Sequence, residues 1–264
     1  MSMMELTNRI DALIGANSGR PKQGNTFSIT LAEVKDINDK DKLNRVKCLP
    51  IGSKAGEETD WCYVMTPMSG PERGLFLFPQ VGDLVVLGFL ENDPHRPIVL
   101  GGFWAAASKP PIAVSDGKAE DYCLKTPHKV DFTLHDEDSK QKLTLTMPSG
   151  TVLEIDDDKQ TVTTKNKAGD TSMLMKMKDG EIEFKAQKKL TITVGNATLT
   201  MEQSGNITIK GTGGNISIEG NNFSGKAQAQ LGLEGADVSM KSNGNLAINA
   251  TATASVKGML LQLN

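Results

Sequence analysis

The sequence predicts an all-β chain made of two unlike parts, a small globular barrel followed by a repetitive β-helical rod. Three observations carry that expectation. Five strand-like runs, separated by Gly, Pro, Asn and Asp, lie between Phe27 and Trp104 with no helical period among them. From about Leu143 onward apolar and polar residues alternate, and beyond about residue 190 the alternating pairs recur close to every eight residues. Composition also shifts along the 264 residues: the 11 prolines all lie at or before Pro148, and both tryptophans and both tyrosines lie in the first half.

Residues 1–25 read as a short helix and a linker. Ser2-Met3-Met4-Glu5 has the Ser-x-x-Glu form of a capping box, in which the two side chains satisfy each other's free amides. Leu6, Ile10, Leu13 and Ile14 then fall on one helical face, and Gly15 is a natural stop. A helix of about three turns is not stable alone, so it needs a neighbour to dock on.

Residues 26–105 hold the strand-like runs Phe27–Val34, Leu43–Leu49, Trp61–Thr66, Asp83–Leu90 and Pro97–Phe103. Five short strands in about eighty residues suit a small barrel such as the OB-fold, and by pattern alone a sandwich fragment fits almost as well. Residues 106–142 read as a linker or neck, because Ala105–Lys118 is small and Pro-bearing.

Residues 143–264 read as the rod. Leu143/Leu145/Met147, Leu153/Ile155, Met173/Met175/Met177, Ile182/Phe184 and Ile192/Val194 each place aliphatics on one face of a strand. The series continues with Leu199/Met201, Ile207/Ile209, Ile216/Ile218, Leu231/Leu233, Val238/Met240 and Leu246/Ile248. Gly-Asn turns such as Gly195-Asn196, Gly205-Asn206 and Gly244-Asn245 separate the pairs. One such unit cannot bury its apolar side alone and must stack on others. Three closures fit the pattern: a solitary β-helix of three octads per coil, three chains wound together, and an antiparallel meander. The absence of a superperiod near 24 residues favours three chains.

Composition excludes several classes. A net charge of −3, with no basic block or stripe, argues against a nucleic-acid partner. No run approaches the ~18 apolar residues of a membrane span, and the first residues lack a signal peptide's basic start, so synthesis in the cytoplasm is expected. The 3 cysteines, Cys48, Cys62 and Cys123, form neither a disulfide framework nor a metal-binding pair.

Phe78-Pro79-Gln80-Val81-Gly82-Asp83-Leu84-Val85-Val86-Leu87-Gly88-Phe89, followed by Asp93-Pro94-His95-Arg96-Pro97-Ile98-Val99-Leu100-Gly101, resembles a known signature. It is similar to the OB domain of phage baseplate assembly protein V and of VgrG, the central spike of contractile tails and type VI secretion systems. Its structural positions are Pro79, Gly82, Asp83, Asp93, Pro94, Pro97 and Gly101; Asn92 stands where the family has Gly. Arg45-Val46-Lys47 and Trp61 resemble the family's second and third strands, and 143–155 its transition into the spike.

The resemblance implies a homotrimer, with an OB-fold collar leading into an intertwined triple-stranded β-helix. It implies a spike that caps the inner tube or hub of a contractile injection apparatus and pierces the target envelope, its tip delivered outside the producing cell. The large hub domain of VgrG fusions is missing, so the hub is expected to be another protein, with Leu6, Ile10, Leu13 and Ile14 as its contact. No histidine follows His135, so the apical His-x-His iron site of some phage spikes is absent. A separate PAAR-type tip protein is the expected partner of Met259, Leu261, Leu263 and Asn264.

No catalytic constellation stands out. His95, His128 and His135 lack a second ligand at metal spacing, and no Ser/Cys–His arrangement or phosphate loop occurs. Asp136-Glu137-Asp138 and Asp156-Asp157-Asp158 could hold calcium but read better as strand-joining turns. Phe76, Phe78, Phe89, Phe103 and Trp104 could form a base-stacking platform, with packing the stronger reading. A structural, non-enzymatic protein without cofactors is therefore expected. The rivals are a β-helical polysaccharide enzyme, which needs clustered charge on one face, and an OB-fold nucleic-acid-binding protein.

Overall fold

The computed structural model describes residues 29–53, 56–260 and 262; the expected N-terminal helix, with Leu6, Ile10, Leu13 and Ile14, lies outside them. The described residues are β throughout apart from one 3-10 turn, Leu90–Asn92. No described helix is long and apolar enough to cross a membrane. The chain divides into two units, Met1–Gln187 and Lys188–Asn264.

The first unit opens with a closed barrel of β1 (Ile29–Asp36), β2 (Arg45–Pro50), β3 (Cys62–Val64), β6 (Leu84–Phe89) and β7 (Pro97–Gly102). A two-strand hairpin, β4 (Ser69–Gly70) and β5 (Arg73–Gly74), interrupts the series. Alternate residues point inward, so the core is Ala32, Val34, Val46, Cys48, Cys62, Val85, Leu87 and Val99, each at most 1% exposed. Ile37, Val64, Phe78 and Phe89 pack against it. Closure removes the free edges that an open five-stranded sheet would expose. The five runs expected from sequence coincide with these five strands to within about two residues, the usual scatter of strand ends.

The β1–β2 loop is held by one carboxylate. Asp39 accepts from Arg45 Nε at 2.9 Å and from an Arg45 terminal nitrogen at 2.8 Å, and also from the amides of Asp41 and Leu43. The paired guanidinium keeps the Asp39 carboxyl well below the ordinary carboxylate range. Arg45 also lies over Trp61 and Tyr63, 5.8 and 5.9 Å from their ring centroids, and Lys47 lies 5.4 Å from that of Trp61.

The rest of the first unit is a seven-stranded antiparallel meander. Its strands are β8 (Asp121–Lys125), β9 (Asp131–His135), β10 (Lys142–Thr146), β11 (Val152–Asp156), β12 (Thr161–Lys165), β13 (Ser172–Lys176) and β14 (Glu181–Lys185). The neck is therefore shorter than the expected 106–142, since β8 and β9 lie inside it. Tyr122/Leu124 and Phe132/Leu134 carry the same alternation as the later pairs, but charged neighbours and Pro127 mask it in the sequence.

The second unit holds a three-stranded antiparallel sheet, β15 (Lys189–Val194), β16 (Ala197–Glu202) and β17 (Ile207–Gly211). Hairpin pairing within the chain thus covers Asp121–Lys185 in the first unit and Lys189–Gly211 in the second. Beyond Gly211 the described residues form no strand.

Leu87→Ala empties a fully buried position of the barrel and is expected to cost about 2–5 kcal/mol in denaturant unfolding. Val81→Ala, at a position 57% exposed, should stay within about 0.5 kcal/mol of the parent.

Candidate assembly interface

Most of the barrel's signature residues sit in its turns, while Pro97 and Gly101 lie in β7. Gly82 has φ +94°, a conformation open to glycine, and its amide donates to Val34 O at 2.9 Å. Asp83 Oδ2 accepts from the Gln80 amide at 2.8 Å, while the Val34 amide donates to Asp83 O at 2.9 Å. Gly82 and Asp83 together clamp the entry of β6 onto β1. Asp93 Oδ1 accepts from the His95 amide at 2.9 Å and Asp93 O from the Arg96 amide at 3.0 Å, closing the turn that contains Pro94. Asn92 has φ +65°, which explains why this position suits Gly and tolerates Asn. Pro97 is buried opposite Phe89, and Gly101 pairs with Val86 where the β6–β7 register shifts.

The meander carries the larger feature. Its registers align two apolar columns on one face. The first is Tyr122, Leu134, Leu143, Ile155, Val162, Met175 and Ile182. The second is Leu124, Phe132, Leu145, Leu153, Thr164, Met173 and Phe184. Only Thr164 breaks the pattern. Side chains alternate across a strand, so the opposite face carries the mostly polar set, Thr133, Thr144, Glu154 and Thr163 among it, with Val152 and Leu174 as its aliphatic exceptions. Many of the apolar residues are open to solvent in the single chain, Tyr122 at 56% and Ile182 at 59% exposure.

Ion pairs on the polar face join residues that are already register partners. They are Lys125–Asp131 at 2.7 Å, Lys142–Asp156 at 3.3 Å and Lys176–Glu181 at 2.7 Å. His135 Nδ1 meets Asp121 at 2.7 Å and is also a register pair. A one-residue slip would bring the apolar set to the other face and separate every one of these pairs. Lys159 meets the nearly buried Asp156 carboxylate at 2.7 Å and, with its own amide and Lys142, lowers that carboxyl to about 2. Glu137 pairs with Lys140 and His135. Both acidic triplets therefore serve as lysine-held turns, and no group of three metal-ligating side chains occurs among the described residues.

The three-stranded sheet repeats the design. Leu190, Ile192, Val194, Ala197, Leu199, Met201, Ile207 and Ile209 share one face. Lys189, Thr191, Thr193, Thr198, Thr200, Glu202, Thr208 and Lys210 share the other. After Thr212 the described residues make no backbone–backbone hydrogen bond within the chain. Their apolar pairs, from Ile216/Ile218 to Leu246/Ile248, are each more than half exposed. Of the tip residues, Met259 is fully exposed, whereas Leu261, Leu263 and Asn264 lie outside the described residues.

The aromatic group of the barrel is split. Phe78 and Phe89 pack on the core, while Phe76 stacks on Phe78 with ring centroids 5.5 Å apart and Trp104 is exposed. Leu77, Phe78, Phe103, Trp104 and Lys125 line a shallow cleft of about 440 Å³.

Residues 30–104 match the family described as the type VI secretion system/phage-baseplate injector OB domain. The type VI secretion system spike protein VgrG3 of Vibrio cholerae is 30% identical over 69 residues, which is 26% of this chain and 7% of that protein. Spike protein VgrG5 of Pseudomonas aeruginosa is 30% identical over 82 residues, 30% of this chain and 10% of that protein. Actin cross-linking toxin VgrG1 of Vibrio cholerae is 28% identical over 76 residues, 28% of this chain and 7% of that protein. The chain thus spans a tenth or less of these relatives, and the resemblance read at residues 78–101 falls within the matched barrel.

The edge strand β8 has a pH-dependent contact. His135 is raised above its ordinary value, first by its bond to Asp121 and also by Glu137; Lys142 is its register partner on the other side. A raised histidine stabilises the fold fully below about pH 6.5 and loses that contribution as pH rises through its folded value. His135→Gln should therefore reduce thermal stability relative to the parent at pH 5.5 and converge with it at pH 8.5, read by the melting midpoint.

Proposed function

We propose that this chain is the structural central spike of a contractile injection apparatus, working as a homotrimer. The observation that carries the reading is a barrel matching injector OB domains, joined in one sequence to single-layer sheets whose apolar residues are largely exposed among the described residues. Such faces become soluble when they meet copies of themselves on an axis. A rod built that way has its hydrogen bonds and its core along its length, so it resists bending and local opening. The sheath supplies the work of penetration, and the spike needs stiffness, a defined length and a docking surface at each end. No step of this role calls for catalysis.

The spike caps the inner tube or hub, with Leu6, Ile10, Leu13 and Ile14 as the hub contact. Met259, Leu261, Leu263 and Asn264 present the far end to a PAAR-type tip protein. It is made in the cytoplasm, assembled into a phage-tail, tailocin-like or type VI-like baseplate, and carried tip-first into the target envelope.

Light scattering of the purified chain should give about three times its 28.3 kDa, and electron micrographs a straight rod; a 28.3 kDa particle sinks the reading. Leu145→Glu, on the apolar face, should abolish or strongly weaken the trimer, whereas Thr144→Glu, one residue away on the polar face, should leave it intact. Removing residues 190–264 should weaken trimerisation; a truncated chain as robustly trimeric as the parent counts against the rod as the main clamp.

A further inference from the structure

Spacing along the sequence pairs none of the 3 cysteines, yet the barrel places two of them side by side. We infer that Cys48 and Cys62 form a thiol–disulfide site, open in reducing surroundings and closed by exchange with a small disulfide into a bond that ties β3 to β2. This chemistry stands apart from the spike reading. That reading adds only where the bond closes, once the chain has been carried out of the cytoplasm that made it.

Both residues are fully buried and belong to the same core cluster of the barrel. Val46 is the register partner of Cys62, and side chains alternate along a strand. Cys48 is therefore the next inward side chain of β2 beside Cys62, and the two side chains hydrogen-bond each other. Thr59 holds the pair. Its amide donates to Cys48 O at 2.8 Å, and its hydroxyl accepts from the Cys48 amide at 3.1 Å. The hydroxyl proton is thereby left to point at Cys62 Sγ, 3.2 Å away, and Cys62 Sγ also donates to Asp60 O at 3.3 Å.

These contacts divide the roles. The Cys48 thiol holds Cys62 below the ordinary thiol range, and against burial and the Asp60 charge the Thr59 hydroxyl adds to that. Cys48 itself is pushed above that range by its bond to Cys62 and by burial. Cys62 is thus the attacking sulfur and Cys48 the resolving one. The Cys62 thiolate attacks one sulfur of a small disulfide such as oxidised glutathione, whose S–S bond breaks and releases one glutathione thiolate. The Cys48 sulfur then attacks the Cys62 sulfur and expels the second glutathione. The protons from Cys62 and Cys48 end on the two released thiols. Two protein thiols are oxidised and one disulfide is reduced, so the step balances.

The start of β3 is where such a step meets least resistance. The strand has 3 residues, and its ladder to β2 consists of Arg45↔Tyr63 and Val46↔Cys62 alone. Cys62 is its first residue, so local opening there admits a reactant while the rest of the barrel stays folded. A disulfide needs Cβ atoms about 3.5–4.5 Å apart, closer than diagonal neighbours on paired strands sit. Closing the bond therefore draws the start of β3 toward β2. Trp61 precedes Cys62, and its ring centroid lies 5.8 Å from the Arg45 guanidinium and 5.4 Å from the Lys47 ammonium. Its emission reports that movement.

The test uses the full-length chain with Cys123→Ser and Trp104→Phe, which leaves Cys48, Cys62 and Trp61 as reporters. The folded protein is equilibrated in mixtures of reduced and oxidised glutathione, quenched in acid, then alkylated in denaturant. As oxidised glutathione rises, both labels should be lost together, the unlabelled chain should weigh about 2 Da less, and Trp61 emission should shift in step. The native mass should not change, so the result is independent of the number of chains in the assembly. Thr59→Val keeps the side-chain shape without the hydroxyl; it should slow the loss of labels severalfold at neutral pH and less at high pH, where Cys62 ionises without that help. Cys48→Ala should stop at one glutathione adduct on Cys62. Both labels retained in every mixture, a lasting adduct on the parent, covalent dimers, no adduct on Cys48→Ala, or a Thr59→Val rate equal to the parent's would overturn the inference and leave the spike reading untouched.

Discussion

Alternation of apolar and polar side chains along unbroken strands is the constraint from which the molecule follows. Period two turns alternate side chains to one side, and hairpins of matched length bring those sides into register. The meander and the three-stranded sheet each have one apolar and one polar face, and each is a single layer within its own unit. An exposed patch larger than a few hundred Å² is unusual on a monomer and marks an interaction surface. The seven-stranded face exceeds that size on strand geometry alone.

The barrel solves the same problem differently. It closes on itself, so eight buried side chains suffice for a core and no edge is left open. Its loops are held by polar clamps, Asp39 on Arg45 and Asp83 on the Gln80 amide. In the meander, charge has another use. Exposed ion pairs contribute little stability individually, but paired across the β8–β9, β10–β11 and β13–β14 hairpins they penalise a slipped register, which would move the two apolar columns to the other face. The barrel thus encloses its own core, whereas the sheets leave one apolar face largely exposed.

Much of this was legible in the sequence, for identifiable reasons. The five barrel strands were readable because Gly, Pro and Asp punctuate them and because Pro79, Gly82, Asp83 and Asp93 form turns that need those residue types. The apolar face from Leu143 to Phe184 was readable because period two is unambiguous over five residues. What stayed hidden was its start: Tyr122/Leu124 and Phe132/Leu134 belong to the same columns, but their charged neighbours resemble a linker. The antiparallel pairing within 121–185 and within 189–211 was one of three closures the pattern allowed, since alternation specifies a face and not a direction. The cross-strand signal was present in the charges, with Lys125 opposite Asp131 and Lys176 opposite Glu181, yet it reads as register only once hairpins are assumed. The last octads carry the same alternation, yet the described residues among them form no ladder within the chain.

Amide hydrogen exchange across residues 212–260 of the purified full-length protein tests the central claim most directly. Among the described residues no backbone amide after Thr212 donates to a backbone carbonyl, so slow exchange there is what pairing between copies in the proposed trimer predicts. Slow exchange through 216–248, comparable to that of β10–β13, is the predicted result. Exchange of that stretch at the rate of an unfolded peptide, while the barrel stays protected, would contradict it.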